Sequence, residues 1–241
     1  MSAPTVAMVL AAGLGKRMRP ITETMPKPLV AVAGKPLIDW GLDALAAAGV
    51  ADAVVNVHYL PDQLIRHLAG RVAPHIVISD ERDALLDSGG GIVRALPRLG
   101  GGPFYILNAD TFWIDAGDDN LRRLALEWSD ESMDILLMLA RPDQATGHTG
   151  GGDFLMSPDR RLQRAAGSPG SLIYAGAAIV HPRVFADAPA GPHSLNRQFD
   201  RALARGRLCG MVLDGSWITV GTPDAIALAE AAVRRARGPG G

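Results

Sequence analysis

Residues 5–20 read TVAMVLAAGLGKRMRP, and this stretch decides the fold. TVAMVL is a short, unbroken apolar run, the pattern of a strand covered on both faces. It leads into a turn that carries Gly13 and Gly15 and then Lys16, Arg17 and Arg19. A buried strand ending in a glycine turn exposes backbone N–H groups at its C-terminal end, where open α/β sheets bind ligands. The basic side chains add charge and bidentate hydrogen bonds suited to a polyphosphate.

Outward from this stretch, strand and helix signals alternate. PLIDWGLDALAAA at 36–48 puts Leu37, Leu42 and Leu45 at helical spacing, with Gly49 as a stop. AVVNVH at 53–58 reads as a strand, 61–69 as a short amphipathic helix opened by Pro61, and 75–78 as a third strand. A helix is expected from Gly91 to about Leu99, then a fourth strand, PFYIL, at 103–107. This order implies right-handed crossovers and a mostly parallel sheet. The second half is less regular. Strands are expected at 134–140, 172–180, 209–213 and 217–220, hairpins and loops at 145–170, and an amphipathic helix at 194–205. Thr222 and Pro223 cap a last helix running to about Arg237, and the GPGG tail is expected to fray. Neither a repeat nor a clean linker divides the chain. The expected architecture is a Rossmann-like α/β fold, a mostly parallel sheet with helices on both faces and an elaborated second half, in a single domain spanning 1–241.

Composition narrows the partners. The 241 residues are 48% hydrophobic and 20% charged, with a net charge of -1. A nucleic-acid binder of this size usually carries a basic excess, so neither nucleic acid nor an anionic membrane is expected as a partner. Cys209 is the only cysteine, which rules out an intrachain disulfide and fits a reducing compartment. The apolar start lacks a basic n-region and already ends in glycines, so it reads as a strand and not a secretory signal. No run approaches the roughly 20 apolar residues of a membrane helix. A cytoplasmic protein, monomeric or a small homo-oligomer, is expected.

Two common phosphate motifs fail. Gly15-Lys16 is followed by Arg17 and lacks the Walker spacing, and Met18 stands where a dinucleotide fingerprint needs its third glycine. The continuation, PITETMPKPLVAVAGKPL at 20–37, is more specific. Lys27 lies between Pro26 and Pro28, which stiffens its backbone. A rigid lysine suits a reaction that must neutralise charge on an α-phosphate.

LAAGLGKRMRP followed by PKPL resembles the signature of the sugar-1-phosphate nucleotidyltransferases, and the resemblance runs from Met8 to about Ala229. It implies an enzyme that joins a nucleotide to a sugar 1-phosphate and releases pyrophosphate. Carried over residue by residue, Gly13, Gly15, Lys16 and Arg17 hold the triphosphate, and Arg17 steadies the departing pyrophosphate. Lys27 contacts the phosphates at the reacting centre, while the backbone at Ala12 and Gly13 meets the base. DSGGGI at 87–92 resembles a second nucleotide segment, with Ser88 and a base lying flat on Gly89, Gly90 and Gly91. In NAD at 108–110, Asn108 belongs to the nucleotide site and Asp110 ligates Mg²⁺. GGDF at 151–154 places Asp153 on sugar hydroxyls, and Gly176 in YAG admits the sugar ring. The resemblance thus divides the chain into a nucleotide-binding half, about 1–112, and a sugar-binding half, about 113–241. His181 reads as a structural residue.

One departure stands out. The family carries an aspartate, a second Mg²⁺ ligand, where this chain has Thr219 in WITVGT at 217–222. Either the ion leans on Asp110, phosphates and water, or another acid such as Asp153 or Asp214 substitutes, or the chain is a weakened homologue. The length, DSGGGI, GDF and VGT features resemble most the members that use UTP and N-acetylmuramate 1-phosphate in cell-wall recycling. Mannose- or heptose-1-phosphate guanylyltransferases come next, then glucose-1-phosphate thymidylyltransferases. Outside this reaction stand a regulatory nucleotide-sugar-binding subunit and an unrelated Rossmann-type dehydrogenase.

Overall fold

The computed structural model describes residues 3–238, so residues 239–241 of the GPGG tail lie outside the described residues. In chain order the first half contains β1 (Val6–Leu10), the small hairpin β2 (Ala31–Val32) and β3 (Lys35–Pro36), α1 (Leu37–Ala47), β4 (Asp52–Val57), α2 (Pro61–Leu68), β5 (His75–Asp80), α3 (Asp87–Leu99) and β6 (Phe104–Asn108). The second half contains β7 (Thr111–Asp115), α4 (Asn120–Glu127), β8 (Ile135–Ala140), β9 (Ala145–Thr146), β10 (Phe154–Met156), β11 (Leu162–Arg164), β12 (Ile173–Val180), α5 (Asn196–Ala204), β13 (Leu208–Val212), β14 (Gly215–Thr219) and α6 (Asp224–Arg237).

Seven strands form the central sheet in the order β13-β8-β12-β6-β1-β4-β5. Every pairing is parallel except those of β12, which runs antiparallel to both β6 and β8. The unbroken apolar character of β1 has a direct cause. Ala7 and Val9 face a core shared with Leu42 and Leu45 of α1, Leu64 of α2 and Leu124 of α4. Met8 faces the other core, with Ile92 of α3 and Phe199 of α5. A third cluster packs α6 through Ala229 and Val233 against Phe112, Ile218 and Met18, which ties the phosphate-loop segment to the last helix.

Three details differ from expectation. Helix α3 starts at Asp87, not Gly91, so the three glycines lie inside its first turns. β7 and α4 arise where no element was expected. Asp119 caps α4 by accepting from the N–H groups of Leu121 and Arg122, a signal the sequence does hold. β7 pairs antiparallel with β14, with Thr111 opposite Thr219, in a three-stranded sheet completed by β9.

At the start of β8 the buried Asp134 carboxylate accepts from Arg183 Nε at 2.6 Å and Arg207 Nε at 2.8 Å. Burial raises its pKa, but the two guanidiniums outweigh it and hold the carboxyl below the usual aspartate range. The group clamps the sheet edge at the end away from the strand C-termini. Among the described residues no helix is long and apolar enough to cross a membrane.

Candidate active site

The C-terminal ends of β1 and β6 meet side by side, with Leu10 opposite Asn108 and the Ala109 N–H donating to the Leu10 carbonyl. The glycine turn leaves β1 here. Gly15 adopts the left-handed region at φ 61°, and the Thr22 hydroxyl donates to its carbonyl at 2.8 Å. A Cβ at Gly15 would press to 3.0 Å from Thr22 Cγ2 and 3.1 Å from Lys27 Cβ. The turn is therefore folded directly onto the segment that carries Lys27, which only glycine permits. Among the described residues, the N–H groups of Gly13, Leu14 and Gly15 have no acceptor in the protein and are free for a ligand.

Lys27 opens a short 3-10 turn, and its ammonium donates to Asp110 Oδ2 at 2.6 Å. The lysine side chain is 11% exposed and the aspartate 37%, so the pair sits at the mouth of the site. Asp110 lies between β6 and β7, and its carbonyl accepts from the Val220 N–H at 3.1 Å. One residue on is Gly221, where a Cβ would lie 3.5 Å from Arg17 Nη1. Arg17 thus rests against the segment that Asp110 anchors.

A cavity of about 560 Å³ lies above these strand ends. Ala12, Gly13, Lys27, Ser88, Asn108 and Asp110 line it, as the sequence led us to expect for a single site. Gly15, Lys16 and Arg17 do not line the cavity. Lys16 and Arg17 are exposed and lie outside its lining.

The triple glycine needs correction. Gly89, Gly90 and Gly91 are buried behind the cavity wall and offer no surface to a base. Their size is demanded by the protein's own chain. A Cβ at Gly89 would meet His193 at 2.6 Å, one at Gly90 the Gly191 carbonyl oxygen at 2.5 Å, and one at Gly91 Glu81 Oε1 at 2.7 Å. The N–H groups of Gly89 and Gly90 already donate to the His193 carbonyl. Asp87, at the cavity wall, holds a left-handed φ of 58°, backbone strain of the kind that collects at functional sites.

Sequence reasoning missed two polar residues in the wall. Asn56 accepts from the Ala11 N–H at 2.7 Å and donates to Glu81 Oε1 at 2.8 Å. Glu81 is fully buried, lines the cavity, and its Oε2 has no hydrogen-bond partner among the described residues. Burial pushes its carboxyl pKa up, with the Asn56 hydrogen bond opposing the shift. The signal for Asn56 was an amide inside an apolar strand; Glu81 lies in the charged run DERDALLD, where nothing local marks it as buried.

A second cavity of about 260 Å³ adjoins the first, sharing Leu10, Ser88 and Asn108. Asp153 lines it and accepts from the Tyr174 N–H at 2.8 Å. Gly176 does not. At φ 78° it forms the irregularity in β12, and a Cβ there would strike Thr111 Oγ1 at 2.4 Å. The glycine serves the crossing of β12 over β7, not the admission of a ring. Asp214 is equally remote, since it precedes β14 and pairs with Asn120 while Thr219 ends that strand at the site. Among the described residues no group of three His, Cys, Asp or Glu side chains is placed to hold a metal ion.

A glycine turn with free N–H groups and a lysine–carboxylate pair, both at the strand ends of a mostly parallel sheet, define a transferase that works on nucleoside triphosphates. Residues 7–208 match the MobA-like NTP transferase domain, and the chain belongs to that family. It is 47% identical over 239 residues to an N-acetylmuramate alpha-1-phosphate uridylyltransferase of Caulobacter vibrioides, covering 97% of this chain and 99% of the relative. A protein of the same description from Neisseria meningitidis is 35% identical, over 90% of this chain and 93% of its own. In fold the chain is similar to HddC from Yersinia pseudotuberculosis complexed with GMP-PN, with a TM-score of 0.76 at 22% identity over 95% of this chain and all of that one.

Proposed function

We propose that the protein transfers UMP from UTP to N-acetylmuramate α-1-phosphate, releasing pyrophosphate and forming UDP-N-acetylmuramate in the cytoplasm. The observation that carries this reading is the Lys27–Asp110 pair at 2.6 Å, set at the mouth of a cavity that continues into a second. The nucleoside fits the larger space and the sugar the smaller, so the reacting phosphates fall at their junction, beside Asn108. The near full-length identity to the uridylyltransferases supports the choice of substrates.

The sugar phosphate oxygen attacks the α-phosphorus in line. A phosphate dianion is already deprotonated near neutral pH and needs no general base. Lys27 neutralises charge at the α-phosphate, and the free N–H groups of Gly13 to Gly15 with Arg17 receive the pyrophosphate. Asp110, with a carboxylate oxygen not engaged by Lys27, suits Mg²⁺, which usually takes one or two protein carboxylates and otherwise phosphates and water. When bound, that ion offsets repulsion between the two reacting phosphates. Thr219 fits this arrangement, because no carboxylate trio is needed. The buried Glu81, whose pKa burial raises, can in its protonated form donate and accept along one edge of the base, matching the N–H flanked by carbonyls in uracil.

The test is incubation of the purified protein with UTP, N-acetylmuramate 1-phosphate and Mg²⁺. Equimolar pyrophosphate and UDP-N-acetylmuramate, resolved by mass spectrometry, are expected; ligand binding with no pyrophosphate would instead indicate a regulatory nucleotide-sugar-binding protein.

A further inference from the structure

The smaller cavity has a polarity that a neutral sugar does not require. Arg164, on β11, is the one cation among its lining residues, and Asp153 is the one acid. The guanidinium lies over the Phe154 ring, 4.8 Å from the centroid, which fixes its plane. Its Nε and Nη2 donate to Asp200 Oδ1, and Nη2 also donates to Asn196 Oδ1 at 3.0 Å. Those bonds leave Nη1, with two protons, without a hydrogen-bond acceptor among the described residues. Asp200 is 63% exposed, so its pairing with Arg164 is a solvent-screened contact of little strength. A second observation points the same way. Tyr174 lines this cavity, and its buried hydroxyl has no hydrogen-bond partner among the described residues. A buried hydroxyl left unpaired costs free energy that a polar ligand group would recover.

N-acetylmuramate differs from N-acetylglucosamine by a lactyl ether that ends in a carboxylate. We infer that Arg164 reads this carboxylate and, with the Tyr174 hydroxyl, sets the choice between the two sugar 1-phosphates. The inference rests on the function proposed above. The free Nη1 suits a carboxylate oxygen, and Asn196 and Asp200 fix the guanidinium through Nε and Nη2. Asp153, tied to the Tyr174 N–H, is left to meet uncharged parts of the sugar.

The experiment measures kcat/KM for N-acetylmuramate 1-phosphate and N-acetylglucosamine 1-phosphate with saturating UTP, in the unmodified protein, Arg164→Met, Arg164→Lys and Tyr174→Phe. The unmodified protein is expected to prefer the acidic sugar. Arg164→Met is expected to lose about tenfold on it, mainly in KM, as for one partly exposed charge-assisted contact, and clearly less on the neutral sugar. Arg164→Lys, keeping the charge without the guanidinium plane that Asp200 and Asn196 fix, is expected to fall between, and Tyr174→Phe to lose less than Arg164→Met. An unchanged preference in Arg164→Met, or an equal loss on both sugars, would overturn the inference and leave the proposed function standing. No turnover of N-acetylmuramate 1-phosphate by the unmodified protein would instead remove the proposed function itself.

Discussion

Lys27 and Asp110 are 83 positions apart in sequence and in direct contact in the fold. Their types were legible: a lysine between prolines and an acid at a strand end both carry chemistry that local pattern reveals. Their contact was not, because it depends on how β6 and the glycine turn are set side by side. Glu81 was illegible for the opposite reason. Its neighbours are charged and exposed, and only the tertiary packing of α3 closes over it. The raised pKa gives it a testable signature. Its neutral form reads the base in the proposed function, so UTP binding should weaken as pH rises through the folded pKa, which lies above the ordinary glutamate value. Glu81→Gln cannot ionise, and its KM for UTP should be flat over the same range. Superimposable profiles for the two proteins would argue against a base-reading role.

Among the elements, α3 shows how a correct motif can be given the wrong job. DSGGGI does abut the nucleotide cavity, through Asp87 and Ser88, but its glycines admit residues 191–193 and Glu81 rather than a base. Sequence alone cannot separate these, since a glycine that admits a ligand and one that admits a distant loop look the same. Gly90→Ala puts a methyl 2.5 Å from the Gly191 carbonyl oxygen, a backbone neighbour and not the free end of a side chain. Overpacking of this kind costs about 1–3 kcal/mol. Chemical denaturation should register that loss in the absence of any nucleotide; equal stability with weakened UTP binding would return Gly90 to the binding surface. β12 makes the same point, because the strand was expected but its antiparallel direction and its irregularity at Gly176 were not.

For the whole molecule, the alternating first half was readable because each strand and helix is amphipathic or buried in a way its own residues declare. The second half was less so, since β7, β9 and β14 form a small separate sheet from pieces two to five residues long. Stability of that half should depend on Asp134, which gathers Arg183 and Arg207 away from the active site. Removing one member of a buried ion group typically costs about 3 kcal/mol, so Asp134→Ala should be destabilised on that order at pH 7. The carboxyl's pKa is depressed in the fold. Its contribution is therefore full above the ordinary aspartate value and is lost as pH falls through the lower folded value. Denaturant titrations at pH 7 and near pH 3 should show the gap between the two proteins closing at the acidic end. A gap independent of pH would mean that the charge is not what Asp134 supplies.

Catalysis in the proposed function rests on one lysine acting at the phosphates of a nucleotide held mainly by other groups. The direct measurement is single-turnover formation of UDP-N-acetylmuramate by Lys27→Ala, with UTP affinity measured alongside by calorimetry. A rate lowered about 100-fold or more with UTP affinity changed less than about tenfold is the expected result. A rate close to that of the unmodified protein would contradict it.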